Sequence, residues 1–357
     1  GKAEHGRTGT SKLQTARTTI VIPNYNGAAH LAKLLPSIAA QTSCPSKVLV
    51  VDNQSADDSR RVVAAHADWL PLDRNYGFAI AINRGLAEVD TEFVALVNSD
   101  VVLAPTWLAD LENALDDASM AFACPLLISG QSSDRIDGAW DLLSRSGCPD
   151  RALHQERLSH PEATRPRRVQ FPPMTAALFR MSVFQDIGLL DEGFVNYLED
   201  VDFGLRAALE GHHGVFVPTA RAVHAGSATL GVWSARTTYW NARNQVLLLA
   251  RHFSPTLLRR WWRPILAGQL LFLLLAARNG HPLAALRGKA AILLRWRRWR
   301  APYRLARSAK KGEFDERLSA TLLSSEAEIR GRNAGRSGSA FWKAYFAIAG
   351  DPGKGIR

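Results

Sequence analysis

Cysteine is scarce. Cys44, Cys124 and Cys148 are the only three in 357 residues, and no two form a C-x-x-C pair. That argues against a disulfide framework and a cysteine-built zinc site, and it suits a reducing compartment. Cys44 and Cys124 are expected as small core or near-core residues. Long apolar runs are also missing. The nearest, "ILAGQLLFLLLAA" at 265–277, is shorter than the ~20 residues a span needs, so no membrane-crossing helix is expected. Neither G-x-G-x-x-G nor G-x-x-x-x-G-K-[ST] follows the first strand, so a nucleotide would not sit in a dinucleotide fingerprint or a P-loop. The opening "GKAEHGRTGTSKLQTART" has no apolar core; it does not read as a signal peptide and is expected to be a disordered lead over 1–17.

Acidic residues vanish from one segment. Residues 251–311 hold 15 Lys or Arg and no Asp or Glu, while the rest of the chain has 29 basic against 33 acidic residues. The net charge of +11 therefore belongs to one segment. Such a segment should meet something anionic: lipid headgroups, nucleic acid or a polyanionic substrate.

What is present is a chain 46% apolar, enough for a sizeable core. Strand-like runs alternate with helical periodicity over the first 125 residues: "TTIVIPNYNG" (18–27), a helix over 28–41 with Pro36 as a bend, "KVLVVDN" (47–53), a helix from "ADDSRRVVAAHA", a helix over 75–89, "EFVALVNSD" (92–100) and a helix over 105–117. This pattern predicts βαβ units, a mostly parallel sheet and an α/β fold. Ligands of such sheets bind beyond the carboxyl ends of the strands. Polar clusters fall there: Pro23-Asn24-Tyr25-Asn26, Asp52-Asn53 and Asn98-Ser99-Asp100. Each alone reads as turn chemistry, and their convergence reads as a site. From 126 to 172 the pattern weakens, which predicts a long surface excursion. A strand and short helix follow over 173–188, then a short strand over 214–218.

In an extended 98–100 segment, Asn98 and Asp100 would point the same way and offer two oxygens to a hard divalent cation, Mg²⁺ or Mn²⁺. His224 is the candidate for a further ligand, because imidazole suits Mn²⁺ better than Mg²⁺. Within "VNYLEDVDFGLRAALEGH" (195–212), Glu199, Asp200 and Asp202 crowd the start of a helix. Carboxylates favour helix N-termini, and Asp202 can pair with Arg206 four residues on. Glu199 and Asp200 are left over. A carboxyl beside another carboxyl has its pKa raised towards that of a working base, so Asp200 is assigned as general base, with Glu199 as its neighbour or a ligand for an acceptor hydroxyl.

The strings "VIPNYNG", "VDNQSADDS", "RNYGFAIAINRG", "LVNSDV", "GLLDEGFVNYLEDVDFGLR" and "HAGSAT", in that order, resemble the inverting family-2 glycosyltransferases of GT-A fold, most closely the rhamnosyltransferase-like bacterial branch. The resemblance covers about residues 18 to 250. It implies a nucleotide-sugar donor, with Pro23, Tyr25 and Asp52 on the pyrimidine base and Asn75, Gly77 and Asn83 lining the nucleotide pocket. Asn26, Asn53 and Ser99 belong to the same strand-end clusters. The family's metal motif is usually D-x-D. Here Asn98 stands first, which weakens the metal site and leaves Asp100 as the main ligand, with His224 helping. Asp200 matches the family's base. Arg243, in an Arg-Asn pair with Asn244, resembles a pair that follows the family's His motif and would approach the diphosphate; the other reading is an exposed helix face.

Beyond position 252, Trp, Leu and Arg alternate at helical lengths in "RRWWRPILAGQLLFLLLAA" and "KAAILLRWRRWRAPYRLARSAKK". This predicts helices lying in an anionic headgroup region. Nucleic acid is the competing partner, and the many leucines argue against it; a helical homo-oligomer interface is compatible with either. Residues 312–340 read as a loose linker around a short helix (315–330), and 340–350 as a short amphipathic patch. The expected organisation is thus a lead (1–17), a GT-A catalytic domain (18–252, nucleotide half 18–125, acceptor half 126–252), a basic membrane-associating segment (253–311) and a polar tail (312–357). The implied activity is sugar transfer, rhamnose from dTDP-rhamnose or a hexose from a UDP-sugar, to a lipid-linked or cell-envelope glycan at the cytoplasmic face of a bacterial plasma membrane. Competing readings are a catalytically inactive nucleotide-sugar-binding member, which the uncharged Asn98 would permit, and a basic nucleic-acid-binding α/β protein.

Overall fold

The computed structural model describes residues 16–226, 233–305, 311–335 and 338–350. The expected lead falls almost entirely, and part of "HAGSAT" falls, outside the described residues.

Alternation holds at the start. β1 (Thr18–Asn24), α1 (Ala28–Ala39), β2 (Lys47–Asp52), α2 (Ser59–Val63), β3 (Asp68–Pro71), α3 (Phe78–Leu86) and β4 (Phe93–Val97) succeed one another. β1 pairs parallel with β2 and β4, and β2 parallel with β3. The runs of Ile and Val in β1, β2 and β4 are buried on both faces, as strands covered by helices on either side must be. One expectation fails here. The helix starting at "ADDSRRVV" stops at Val63, and Asp68–Pro71 forms an edge strand that the sequence pattern concealed.

The second half of the sheet is antiparallel in part. After β5 (Val101–Leu103) and α4 (Trp107–Ala114) come β6 (Phe122–Ser129), β7 (Ile136–Gly138), β8 (Asp141–Leu143), β9 (Pro149–Arg151), a 3₁₀ turn at Pro161–Thr164, β10 (Arg167–Val169) and β11 (Ala176–Arg180). Then follow α5 (Met181–Ile187), α6 (Glu199–Leu209) and β12 (Gly214–His224). The strand order is β10-β12-β6-β11-β4-β1-β2-β3, with β5 on β12 and β7 on β6. β11 runs antiparallel between β4 and β6, and β12 lies parallel to β6. The result is a mixed, mostly parallel sheet flanked by helices.

The expected surface excursion over 126–172 holds only in part: 130–135 and 154–168 are largely exposed, but the middle is not. Ala139 through Cys148 is buried throughout, with Trp140, Leu142 and Cys148 in the main core cluster. The pattern looked weak because its strands are three residues long. That is too short to show periodicity.

Among the described residues, seven helices follow: α7 (Ala235–His252), α8 (Pro255–Arg260), α9 (Trp262–Arg278), α10 (Pro282–Leu293), α11 (Trp296–Leu305), α12 (Lys311–Asn333) and α13 (Ala340–Ala349). Ser234 and Thr237 form a reciprocal capping box at the start of α7. The supposed loose linker is instead the 23-residue α12. Its Ser325 hydroxyl accepts from Leu143 N at 2.7 Å, and its buried Glu326 takes Arg145 at 2.7 Å. The 340–350 patch is α13, which buries Trp342, Tyr345 and Phe346 against the body rather than leaving them free. Cys44 is exposed, against expectation, whereas Cys124 is buried. Among the described residues, no helix is long and apolar enough to cross a membrane.

Candidate active site

A cleft of about 760 Å³ opens beyond the carboxyl ends of β1, β2 and β4. On one wall are Pro23, Asn24, Tyr25 and Asn26. Behind them Asp52 is buried with both oxygens engaged: Oδ1 accepts from Asn24 Nδ2 at 2.9 Å and the Ser55 hydroxyl at 2.6 Å, and Oδ2 from Ser55 N at 2.8 Å. Asp52 does not line the cleft and instead ties the loop after β1 to the loop after β2. Asn26, in the left-handed region at φ 50, accepts from Ala56 N at 2.8 Å and completes that tie.

Asn53, Asn75 and Gly77 line the same wall. Asn53 Oδ1 accepts from Tyr76 N at 3.1 Å, and Asn75 Oδ1 from Gly77 N at 3.0 Å. Gly77 has φ +89, and a Cβ there would stand 2.6 Å from Val195 Cγ1. Glycine is thus required twice, by conformation and by the close approach of the 195–198 loop. Asn83 lies elsewhere. It is buried, donating from Nδ2 to Leu190 O at 2.9 Å and accepting from Leu190 N at 3.0 Å, so it anchors the loop after α5 instead of facing the cleft.

Asn98, Ser99 and Asp100 reach the cleft floor, but not as an extended segment. β4 ends at Val97 and the three residues turn into β5. The alternation argument for them therefore fails, although both side chains still line the cleft. Asn98 Oδ1 is buried without a partner. β5 pairs antiparallel with β12 so that Val101 faces His224. This register puts His224 Nε2 3.4 Å from Asp100 Oδ2. Burial pushes the Asp100 carboxyl up, but the hydrogen bond and charge of His224 outweigh it and hold the group below the usual range. Burial disfavours the charged ring of His224, but Asp100 and Asp137 prevail and raise it to about 9.

The opposite wall carries Glu199 and Asp200, at the start of α6. Burial lifts both carboxyls above their ordinary values. Asp200 adds to the rise of Glu199, while the Arg151 cation pulls Asp200 partly back. Glu199 Oε2 is buried with no partner. Asp202 is different. It is buried against Arg206 at 2.9 Å and His252 at 2.6 Å; burial disfavours its charge, yet the Arg206 cation and the contact with His252 hold its carboxyl at about 2. It stays outside the cleft, with a structural role.

The loop leading into α6 is backbone-strained. Val195, Tyr197 and Leu198 have φ of 64, 68 and 65, a region that β-branched and bulky side chains rarely adopt. Arg243 and Asn244 hold it. Arg243 is buried, donates to Gly193 O at 2.8 Å and stacks against Trp299. It does not line the cleft, which corrects both its assignment to the nucleotide sugar and the exposed-face alternative. Asn244 Nδ2 donates to the carbonyls of Phe194, Asn196 and Tyr197 at 2.9, 2.7 and 2.7 Å.

Sequence reasoning missed Asp141, Asp150 and Arg151, which line the cleft, and Asp137, which stands behind His224. All sit on short strands in the segment read as surface. Arg151 Nε lies 3.3 Å from Asp141 and its Nη1 3.4 Å from Asp137. Burial, reinforced by the charge of Asp200, pushes Asp141 up to about 7 against the pull of Arg151. Only the alternation of charged residues at 134–151 hinted at chemistry there.

Asp100, His224 and the uncommitted Asn98 Oδ1 suit a hard or borderline divalent cation whose remaining positions are filled by ligand oxygens. Among the described residues, no group of three His, Cys, Asp or Glu forms a complete cage.

The family model for glycosyl transferase family 2 matches residues 19–188. The N-acetylglucosaminyl-diphospho-decaprenol L-rhamnosyltransferase of Mycobacterium tuberculosis is 27% identical over 272 residues, 68% of this chain and 86% of that protein. The pre-mycofactocin glycosyltransferase of the same organism is 30% identical over 238 residues, 66% of this chain and 48% of that one. Among solved structures, GalNAc-T7 with UDP, GalNAc and Mn²⁺ superposes with a TM-score of 0.56 at 17% identity, covering 72% of this chain and 51% of that chain. The mannosyltransferase PcManGT from Pyrobaculum calidifontis, in complex with GDP-Man and Mn²⁺, gives 0.51 at 16% identity, covering 93% and 85%. These two likenesses bear on the fold.

Proposed function

The chain belongs to glycosyl transferase family 2, in its rhamnosyltransferase-like type and GT-A fold, and from that premise we propose an inverting sugar transfer with Asp200 as general base. The donor is dTDP-rhamnose or a UDP-hexose, and the acceptor a lipid-linked or cell-envelope glycan. The observation that carries this reading is the shared cleft: Glu199 and Asp200 line the same 760 Å³ space as Asn98, Asp100 and His224. The curated relative named for rhamnose transfer to a diphospho-decaprenol acceptor supports the choice of donor and acceptor.

Each group's part follows from its surroundings. Pro23, Tyr25, Asn53, Asn75 and Gly77 form a wall on which the nucleotide rests, braced by Asp52. Asp100, His224 and Asn98 would hold Mg²⁺ or Mn²⁺; when bound, the ion supplies charge neutralisation at the donor's diphosphate. Asp200, raised by burial, takes the proton of the acceptor hydroxyl as that oxygen attacks the anomeric carbon from the opposite face. The C1–diphosphate bond breaks in the same displacement, so configuration inverts and no sugar–enzyme bond forms. The free Oε2 of Glu199 is an acceptor for a second hydroxyl of the incoming sugar.

The C-terminal helices support docking on an anionic bilayer, at the cytoplasmic face of the plasma membrane. Trp262, Leu266, Leu270 and Leu274 form an exposed stripe at four-residue spacing on α9, and Leu283, Leu286 and Leu293 are exposed on α10. Exposed arginines surround them, including Arg259, Arg260, Arg263, Arg278 and Arg287. Apolar rows flanked by arginine suit a headgroup interface.

A panel of nucleotide sugars, with and without Mn²⁺, tests the reading by thermal stabilisation and then by acceptor-dependent release of nucleoside diphosphate from the donor that binds. Release that continues undiminished in Asp200→Asn would sink the assignment of the base.

A further inference from the structure

His224 is gripped at both ring nitrogens. Its Nε2 stands 3.4 Å from Asp100 Oδ2, and its Nδ1 2.9 Å from Asp137 Oδ2. Asp137 comes from β7 and is itself held by Arg151 of β9, whose Nη1 is 3.4 Å away. Gly138 makes room for that grip, since a Cβ there would be 2.3 Å from Arg151 Cδ. Arg151 is in turn fixed by Asp141 at 3.3 Å. Three short strands, β7, β9 and β8, thus supply the relay Asp137–Arg151–Asp141 that backs one imidazole of β12 on its Nδ1 side.

Resting on the metal reading above, we propose that Asp137 is a positioning residue that selects which nitrogen of His224 faces the cation. Without the cation the ring meets a carboxylate at each nitrogen; with a cation on Nε2 it would be neutral, with one N–H and one lone pair, and a carboxylate can only accept. Asp137 therefore draws the N–H onto Nδ1 and leaves the lone pair on Nε2, beside Asp100. The hydrogen bond also fixes the ring plane and makes Nε2 a better donor. Arg151 keeps Asp137 from swinging away, so the orientation is built into the fold before any ligand arrives. The same logic accounts for a cation placed where the local chemistry otherwise calls for carboxylates only.

The test uses the full chain with Mn²⁺ and uridine diphosphate as probes. Mn²⁺ affinity is measured by calorimetry, and the ¹⁴N modulation of the Mn²⁺ electron spin echo reports a coordinated imidazole. Asp137→Ala should weaken Mn²⁺ binding by about 10- to 100-fold and diminish the nitrogen signal. Asp137→Asn, whose amide oxygen still accepts the Nδ1 proton, should retain more of both. If Asp137→Ala loses its cooperative melting transition, Asp137→Asn carries the test: its uncharged amide accepts the Nδ1 proton more weakly and should still bind Mn²⁺ measurably less tightly than the unaltered protein. Unchanged affinity together with an unchanged nitrogen signal overturns the inference and leaves the metal reading standing. Failure of the unaltered protein to bind Mn²⁺, or undiminished binding by Asp100→Ala, overturns both.

Discussion

Asn244 Nδ2 donates to the backbone carbonyl of Tyr197 at 2.7 Å, across 47 positions of chain. The same amide reaches the carbonyls of Phe194 and Asn196. One side chain on α7 thereby secures a left-handed loop that ends where the acidic pair Glu199–Asp200 begins. The proposed base is positioned by a residue that lies outside the cleft.

Asn244→Ala should show what this support is worth. Three carbonyls lose a shared donor in a buried setting, and each orphaned polar group costs about 1–3 kcal/mol where water cannot replace the donor. Part of the loop will relax, so a loss of roughly 2–4 kcal/mol in unfolding free energy is expected by denaturant titration. Turnover should fall, and donor binding should weaken with it, because the same loop hands Asn196 to Phe78 N on the α3 wall. Equal stability to the unaltered protein would count against the bracing role.

Asp200→Asn should be nearly silent in stability and severe in turnover. The amide fills the same space and removes a buried carboxyl that burial already pushes up. General-base assistance is worth about 10²- to 10⁴-fold, so kcat should fall by that factor while thermal stabilisation by the donor persists. A loss of donor binding as large as the loss of turnover would place Asp200 in substrate binding instead.

The Asp202–Arg206–His252 cluster predicts an acid-labile element. The folded-state pKa of Asp202 is depressed to about 2 from an ordinary carboxylate value. Its contribution to stability is therefore full above pH ~4 and is lost as pH falls towards ~2, to the extent of roughly 2 kcal/mol. Asp202→Asn removes this dependence and takes the anion from Arg206, which is only half-buried and keeps the carbonyls of Ile187 and Leu189, a cost of about 1–3 kcal/mol near neutrality. The slope of unfolding free energy against pH between 2 and 4, compared in the two proteins, checks both statements.

How far the sequence could be read depended on element length. β1, β2 and β4 declared themselves because four or five successive residues are apolar (IVIP, VLVV, FVALV) and bounded by turn chemistry. Glu199, Asp200 and Asp202 were visible as an electrostatic anomaly, and the Asp202–Arg206 pair followed from helical spacing. β7, β8 and β9, at three residues each, offered no period to detect, so Asp137, Asp141 and Arg151 were hidden in what read as surface. Asp52, Asn83 and Arg243 illustrate the converse. Their polar chemistry suggested ligand contact, yet their hydrogen bonds are spent on backbone and neighbouring side chains, which only the tertiary fold discloses.

Gly77→Ala should damage the nucleotide wall. Alanine at φ +89 is strained by roughly 1–2 kcal/mol, and its methyl would press on Val195. The 195–198 loop must then shift, carrying Asn196 away from Phe78 N, which it now meets at 3.1 Å. Donor affinity should drop by at least about tenfold with a modest fall in melting temperature. Unaltered donor binding would show that the loop and α3 are not coupled.

The leucine rows of α9 make the last prediction, on membrane attachment. Leu270 and Leu274 are 50% and 65% exposed, so replacing both with Glu removes little packing and should leave the melting temperature almost unchanged. On a bilayer the same change withdraws two apolar side chains and adds two charges of the wrong sign for an anionic surface. Each inserted leucine is worth about 1.5 kcal/mol or more, so the Leu270→Glu, Leu274→Glu protein should bind anionic vesicles at least about tenfold more weakly in flotation. Arg263→Gln with Arg278→Gln should weaken binding to anionic vesicles and spare what binding exists to neutral ones, since each basic residue near an anionic surface contributes about 1 kcal/mol. A protein that floats equally well with both leucines replaced, or that prefers duplex DNA to vesicles at the same ionic strength, would not be held to a membrane by this face.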